Sequence, residues 1–195
     1  MKQSVKLILW IVIFIAVLAG AVWAYNTLSK DYLPGAPAEQ SESVVSSEVD
    51  SDPQTEPVKA VDFTVVDMEG NAVTLGEHIG KPILLNFWAT WCGPCQSELP
   101  AFDAAYAEYG DEVVFMMINL TDGDRETKET VQDFLTENAY GFPVYLDTEY
   151  EAMISYGAYS IPLTVAIDAD GYVVDGYMGV LDEATLEQML KNLLP

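Results

Sequence analysis

Beyond residue 60 the chain alternates short apolar runs with stretches whose apolar residues recur every three or four positions. That is the pattern of strands interleaved with helices. Residues 61–66 and 72–75 flank a polar segment containing Asp67, Gly70 and Asn71, which predicts an early β-hairpin. Residues 82–88 are apolar throughout except for Asn86, as expected of a strand covered on both faces. A helix is predicted over 93–109, with Leu99, Phe102 and Tyr106 at helical spacing, followed by a second buried strand over 113–120. Next come a polar helix from about 124 to 138, a short strand at 144–146 and a short helix at 149–156. Strands at 163–168 and 172–178 meet across Asp170-Gly171, a hairpin signal. An amphipathic helix over 182–194 closes the chain, with Leu186, Met189, Leu190 and Leu193 on one face. The sum is an α/β fold: a mixed central sheet with helices on both faces and an N-terminal hairpin extension.

The first 60 residues follow different rules. Residues 7–25 are nearly unbroken apolar sequence, close to the roughly 20 residues that a spanning helix needs. Lys2 and Lys6 precede them, and Trp23 and Tyr25 stand at the far end. The expectation is a transmembrane signal anchor, with residues 1–6 as a cytoplasmic tip and everything after the anchor outside the cytoplasm. Ala19-Gly20-Ala21 also resembles a small-residue cleavage site, as in a removable signal peptide. A lipoprotein signal is disfavoured because Ala21 stands where the lipidated cysteine would be. Residues 26–60, rich in Pro, Ser, Glu and Asp, read as an acidic disordered linker, which leaves 61–195 as the folded domain.

Charge narrows the partners. The chain carries a net −23, and residues 61–195 alone hold 24 acids against four bases. Such a surface repels phosphate backbones, which argues against nucleic-acid binding, and its self-repulsion favours a soluble monomer.

Both cysteines of the chain lie in Trp91-Cys92-Gly93-Pro94-Cys95, between the buried strand and the helix after it. Cysteines three apart at a helix start can sit about 5–6 Å from each other, within reach of a disulfide. The first would lie at the helix N-terminus, where unpaired N–H groups and the macrodipole favour its thiolate. Thiolate is the form that attacks disulfides, so the motif reads as a reversible dithiol. A structural zinc site needs four ligands, and only His78 is left to join the two cysteines as a nitrogen or sulfur ligand. A purely structural disulfide would close too short a loop to remove much chain entropy. No Lys, Arg or His lies between Lys81 and Arg125, so the Cys92 thiolate has to rely on the helix terminus in an acidic field. Glu98, three residues past Cys95, shares its helical face; it reads equally as a proton relay for Cys95 or as a solvated surface acid. His78 reads as a bland loop residue, Trp88 as core, and Met116-Met117 as strand packing.

Gly80-Lys81-Pro82, and Leu85-Asn86-Phe87-Trp88-Ala89-Thr90-Trp91-Cys92-Gly93-Pro94-Cys95 after it, resemble the thioredoxin-like thiol–disulfide oxidoreductases of the TlpA/ResA type. The opening Phe63, Asp67, Gly70, Val73 and Leu75 is similar to that family's hairpin. Pro100 matches its helix-kinking proline, and Ser160-Ile161-Pro162 its cis-proline loop. The resemblance covers 61–195 and implies a thioredoxin-like fold with a redox-active Cys92–Cys95 disulfide. It implies Cys92 as attacking thiolate, Cys95 as resolving thiol and Glu98 as an acid near it. Trp91, Gly93, Pro94, Ile161 and Pro162 would form the substrate-binding rim. Asn86 departs from cytoplasmic thioredoxins, which carry a buried aspartate there. The implied activity is reduction of disulfides in exported proteins, for example in apocytochrome c maturation. Electrons would come from a membrane thiol-electron donor of the CcdA/DsbD type, with no dissociable cofactor and no metal. Two alternatives stand beside it. One is a peroxiredoxin-like thiol peroxidase, whose Pro-x-x-x-Thr-x-x-Cys pattern residues 87–92 do not fit; the other is a non-catalytic surface adaptor.

Overall fold

The computed structural model describes residues 14, 16–20, 23 and 57–194. Most of the anchor expected at 7–25, and the linker expected at 26–60 up to residue 56, lie outside the described residues; Phe14, residues 16–20 and Trp23 are helical. Among the described residues no helix is long and apolar enough to cross a membrane.

The strands are β1 (Val58–Lys59), β2 (Thr64–Asp67), β3 (Ala72–Thr74), β4 (Ile83–Trp88), β5 (Val114–Asn119), β6 (Val144–Leu146), β7 (Leu163–Ile167) and β8 (Tyr172–Met178). They form one sheet in the order β1-β8-β7-β4-β5-β6-β2-β3. β4 pairs in parallel with β5 and antiparallel with β7, so it lies near the middle, and all six of its residues are buried. The predicted hairpin, β2–β3, adds to the sheet through β6.

The helices are α1 (Gly93–Tyr109), α2 (Lys128–Asn138), α3 (Glu151–Tyr156) and α4 (Glu183–Leu193). Successive residues of a strand point to opposite faces. Leu84 and Trp88 therefore join Leu99 and Phe102 of α1, Val131 of α2, and Leu186 and Leu190 of α4 in one core. Ile83, Leu85 and Phe87 meet Phe63, Leu75 and Ala152 of α3 in the other. Met117 falls in the first core and Met116 in the second, so both methionines pack. Each large apolar side chain buried here contributes about 1.5–3 kcal/mol.

Most boundaries shift by one to three residues, the first hairpin strand starting at 64 rather than 61, and two further differences change the picture. β1 lies before residue 61, where Val58 and Lys59 pair with Val173 and Tyr172. Helix α2 starts at 128 rather than near 124. The Asp122 carboxylate accepts the N–H groups of Asp124 and Glu126, both at 2.8 Å, and closes a turn in which Gly123 takes φ +76°. Thr127 then caps the helix by accepting the Thr130 N–H at 3.2 Å.

The other end of α2 holds strain. Ala139 sits in the left-handed region at φ 56°, where its N–H reaches the Leu135 and Thr136 carbonyls. A Cβ is disfavoured in that conformation, and glycine carries none. Ala139→Gly is predicted to raise the stability of the chain by about 1 kcal/mol, read as a higher urea midpoint at constant slope. An unchanged or lower midpoint contradicts this.

Candidate active site

The turn 89–92 carries the chain out of β4 and into α1, closed by the Cys92 N–H donating to the Ala89 carbonyl at 3.1 Å. Cys92 is the N-cap of α1, and its sulfur accepts the Cys95 N–H at 3.2 Å. Pro94 occupies the first turn of the helix, where its missing N–H costs nothing. Cys92 and Cys95 are joined as a disulfide, with Cα atoms 5.2 Å apart. The two cysteines differ slightly in exposure: Cys92 is 5% exposed and Cys95 is fully buried. Gly93 and Pro94 are exposed beside them, and Trp91 is 44% exposed.

The Ile161–Pro162 peptide, just before β7, is cis. The Cys92 sulfur lies 3.9 Å from the Ile161 carbonyl oxygen. Every residue expected at the substrate rim therefore falls either in the motif itself or on this facing loop.

Three residues past Cys95 in α1, Glu98 is 1% exposed, which excludes a solvated surface acid. Its Oε1 accepts from Asn86 Nδ2 at 2.8 Å and its Oε2 from the Leu181 N–H at 2.8 Å. Burial pushes the Glu98 carboxyl above its ordinary value, and these two hydrogen bonds only partly oppose it. Asn86 also donates to Thr164 Oγ1 at 3.1 Å, so the position of the missing aspartate is filled by an amide that orients Glu98.

The loop 122–126 supplies residues that the sequence gave no reason to place here. The Arg125 guanidinium lies over the Trp91 ring, 4.5 Å from its centroid. A cation thus reaches the motif although none lies near it in sequence. Glu126, fully buried, binds Thr90. Gln96 donates from its side chain to the Thr90 carbonyl. His78, by contrast, packs edge-on against Tyr145 with ring centroids 6.5 Å apart, and belongs to the hairpin side of the sheet.

The AhpC/TSA family model matches residues 58–175. The chain belongs to the AhpC/TSA family. The thiol-disulfide oxidoreductase ResA of Bacillus thuringiensis subsp. konkukian is 35% identical over 137 residues, which is 70% of this chain and 78% of that protein. The thioredoxin-like protein YneN of Bacillus subtilis is 33% identical over 132 residues, covering 68% and 76%. Among solved structures, StoA from Bacillus subtilis superposes with a TM-score of 0.59 at 28% identity, covering 68% of this chain and 98% of that one. The exposed lipoprotein thioredoxin of Streptococcus pneumoniae gives 0.60 at 28% identity, covering 68% and all of that chain. This family member is a thioredoxin-like thiol–disulfide oxidoreductase, with its cysteine pair at the start of α1.

Burial of Glu98 has a pH consequence. On unfolding, its carboxyl returns to about 4.5, so between that pH and the higher folded value the unfolded chain is the first to lose the proton. Its contribution to stability is complete below about pH 4.5 and declines as pH rises through the folded value. Glu98→Gln is predicted to remove that decline, so that wild type loses stability relative to the variant between pH 4 and 8 in denaturant titrations. Parallel stability–pH curves contradict it.

Proposed function

We propose that the protein is a membrane-anchored reductase of exported protein disulfides, acting outside the cytoplasm through Cys92 and Cys95. The observation that carries this reading is the asymmetry of the pair. Cys92 sits at a helix N-terminus beside Ile161 and keeps a little exposure, whereas Cys95 is fully buried. A thiolate on Cys92 attacks one sulfur of the substrate disulfide, forming a mixed disulfide and releasing the other substrate sulfur as a thiolate. Cys95, deprotonated, then attacks the Cys92 sulfur. This closes the Cys92–Cys95 disulfide and releases the second substrate thiolate, so two electrons pass to the substrate. Glu98 takes the proton of Cys95, and its raised carboxyl pKa suits a group that must receive a proton. Trp91, Gly93, Pro94, Ile161 and Pro162 hold the substrate segment, which runs as an extended strand beside the disulfide.

Export rests on the apolar stretch 7–25 behind Lys2 and Lys6, and the pneumococcal neighbour is itself an exposed lipoprotein. Outside the cytoplasm thiols tend towards oxidation, so the disulfide has to be re-reduced from the membrane by a thiol-electron donor of the CcdA/DsbD type. The resemblance of the Cys92–Cys95 motif and its flanks to the TlpA/ResA type is why we favour apocytochrome c as the substrate class.

The reading predicts that full-length Cys95→Ser accumulates mixed disulfides through Cys92 with exported proteins, and that a further Cys92→Ser change abolishes them. With Cys95 intact, Glu98→Gln should lengthen the life of such a species about tenfold or more. Failure to trap any exported protein overturns the reductase reading. Release by Glu98→Gln at the wild-type rate overturns the proton relay alone.

A further inference from the structure

The turn that delivers Cys92 is held from outside itself. Thr90, its second residue, donates its N–H to Glu126 Oε1 and its hydroxyl to Glu126 Oε2, each at 2.6 Å. Asn119, at the end of β5, donates its Nδ2 to the same Oε1 at 2.6 Å. Glu126 is fixed in turn. Its N–H donates to Asp122 Oδ1 at 2.8 Å, and its carbonyl accepts from the N–H groups of Asp122 at 3.1 Å and Gly123 at 3.0 Å. A buried carboxylate is costly unless hydrogen bonds compensate it, and here three donors converge on two oxygens. The Thr90 carbonyl is taken by the Gln96 side chain, so each of its polar groups is bound. The next residue, Trp91, lies under Arg125 of the same loop.

We propose that Glu126 is a positioning residue for the nucleophile: by binding both donors of Thr90 it fixes the turn 89–92, and with it the sulfur of Cys92 at the start of α1. This rests on Cys92 being the attacking thiol. The chemistry needs such a brace because the sulfur gains from the helix start only while it stays in line with the Cys95 N–H, 3.2 Å away. Only Trp91 separates Thr90 from Cys92, so a displacement of one moves the other.

The test is the alkylation rate of Cys92 by iodoacetamide against pH, in reduced full-length protein carrying Cys95→Ser so that one thiol remains. Glu126→Ala is expected to move the inflection to higher pH and to lower the rate at pH 7 about three- to tenfold, a tenfold loss being one pKa unit. Glu126→Gln keeps the Oε1 acceptor and presents an amide that the Thr90 hydroxyl can meet, so its rate should stay within about twofold of the parent. Thr90→Val removes one of the two Thr90 donors and should shift the profile in the same direction as Glu126→Ala by a smaller factor; if Glu126→Ala does not fold, this variant decides. A parent profile in Glu126→Ala, or in Thr90→Val, overturns the inference. Faster alkylation in both Glu126→Ala and Glu126→Gln also overturns it, because the carboxylate would then act by charge. If Cys92 of the parent is no more reactive than a free thiol, the nucleophile reading fails instead.

Discussion

The first turn of a helix leaves N–H groups without partners inside the helix, and an oxygen of Ser, Thr, Asp or Asn ordinarily accepts one of them and stabilises the helix by about 1 kcal/mol. In this protein the acceptor is the sulfur of Cys92, which takes the Cys95 N–H. The same arrangement serves the helix and the chemistry, since the groups that need an acceptor are those that stabilise a thiolate. Much else in the domain keeps that helix start in place. β4 is buried over its whole length, and its end sets the position of the turn. Leu99 and Phe102 anchor α1 in a core shared with Leu186 and Leu190 of α4.

Around this point the interior turns polar. Asn86, Glu98 and Thr164 form one hydrogen-bonded group, and Glu126 and Asn119 join Thr90 of the active-site turn in another, all but Thr90 buried. Removing carboxylates from water costs several kcal/mol each, so a protein keeps them inside only with compensating donors. Glu98 receives two donors and Glu126 three. The difference matches their proposed tasks. Glu98, with fewer donors, is held by burial above its ordinary pKa and can accept a proton. Glu126 uses each oxygen as an anchor for the turn.

Sequence pattern made the central layers legible because they depend on local periodicity. The continuous apolar run at β4, the amphipathic spacing of α4 and the Cys-x-x-Cys motif each carry their meaning within a few residues. Glu98 could be assigned to the face of Cys95 from helical spacing, but its burial could not, because the Leu181 N–H that binds it is 83 residues away. Glu126 was invisible for the same reason: it lies 36 residues from Thr90 in a stretch that reads as polar helix. That reading failed at 124–127 because the Asp122 side chain captured the backbone N–H groups first. β1 escaped notice because both of its residues are exposed and only pairing with β8 makes them a strand.

The proposed role of the disulfide is to carry electrons to substrates, and its equilibrium reduction potential tests that most directly. The measurement follows the tryptophan fluorescence of the full-length chain in thiol buffers of defined poise, with Trp91 beside the pair as the reporter. A reductant is predicted to lie at or below about −250 mV, near thioredoxin, so that it reduces exported disulfides and needs electrons from the membrane. A value near about −120 to −180 mV, in the range of the disulfide oxidants and isomerases, contradicts the account and would make disulfide formation the physiological direction.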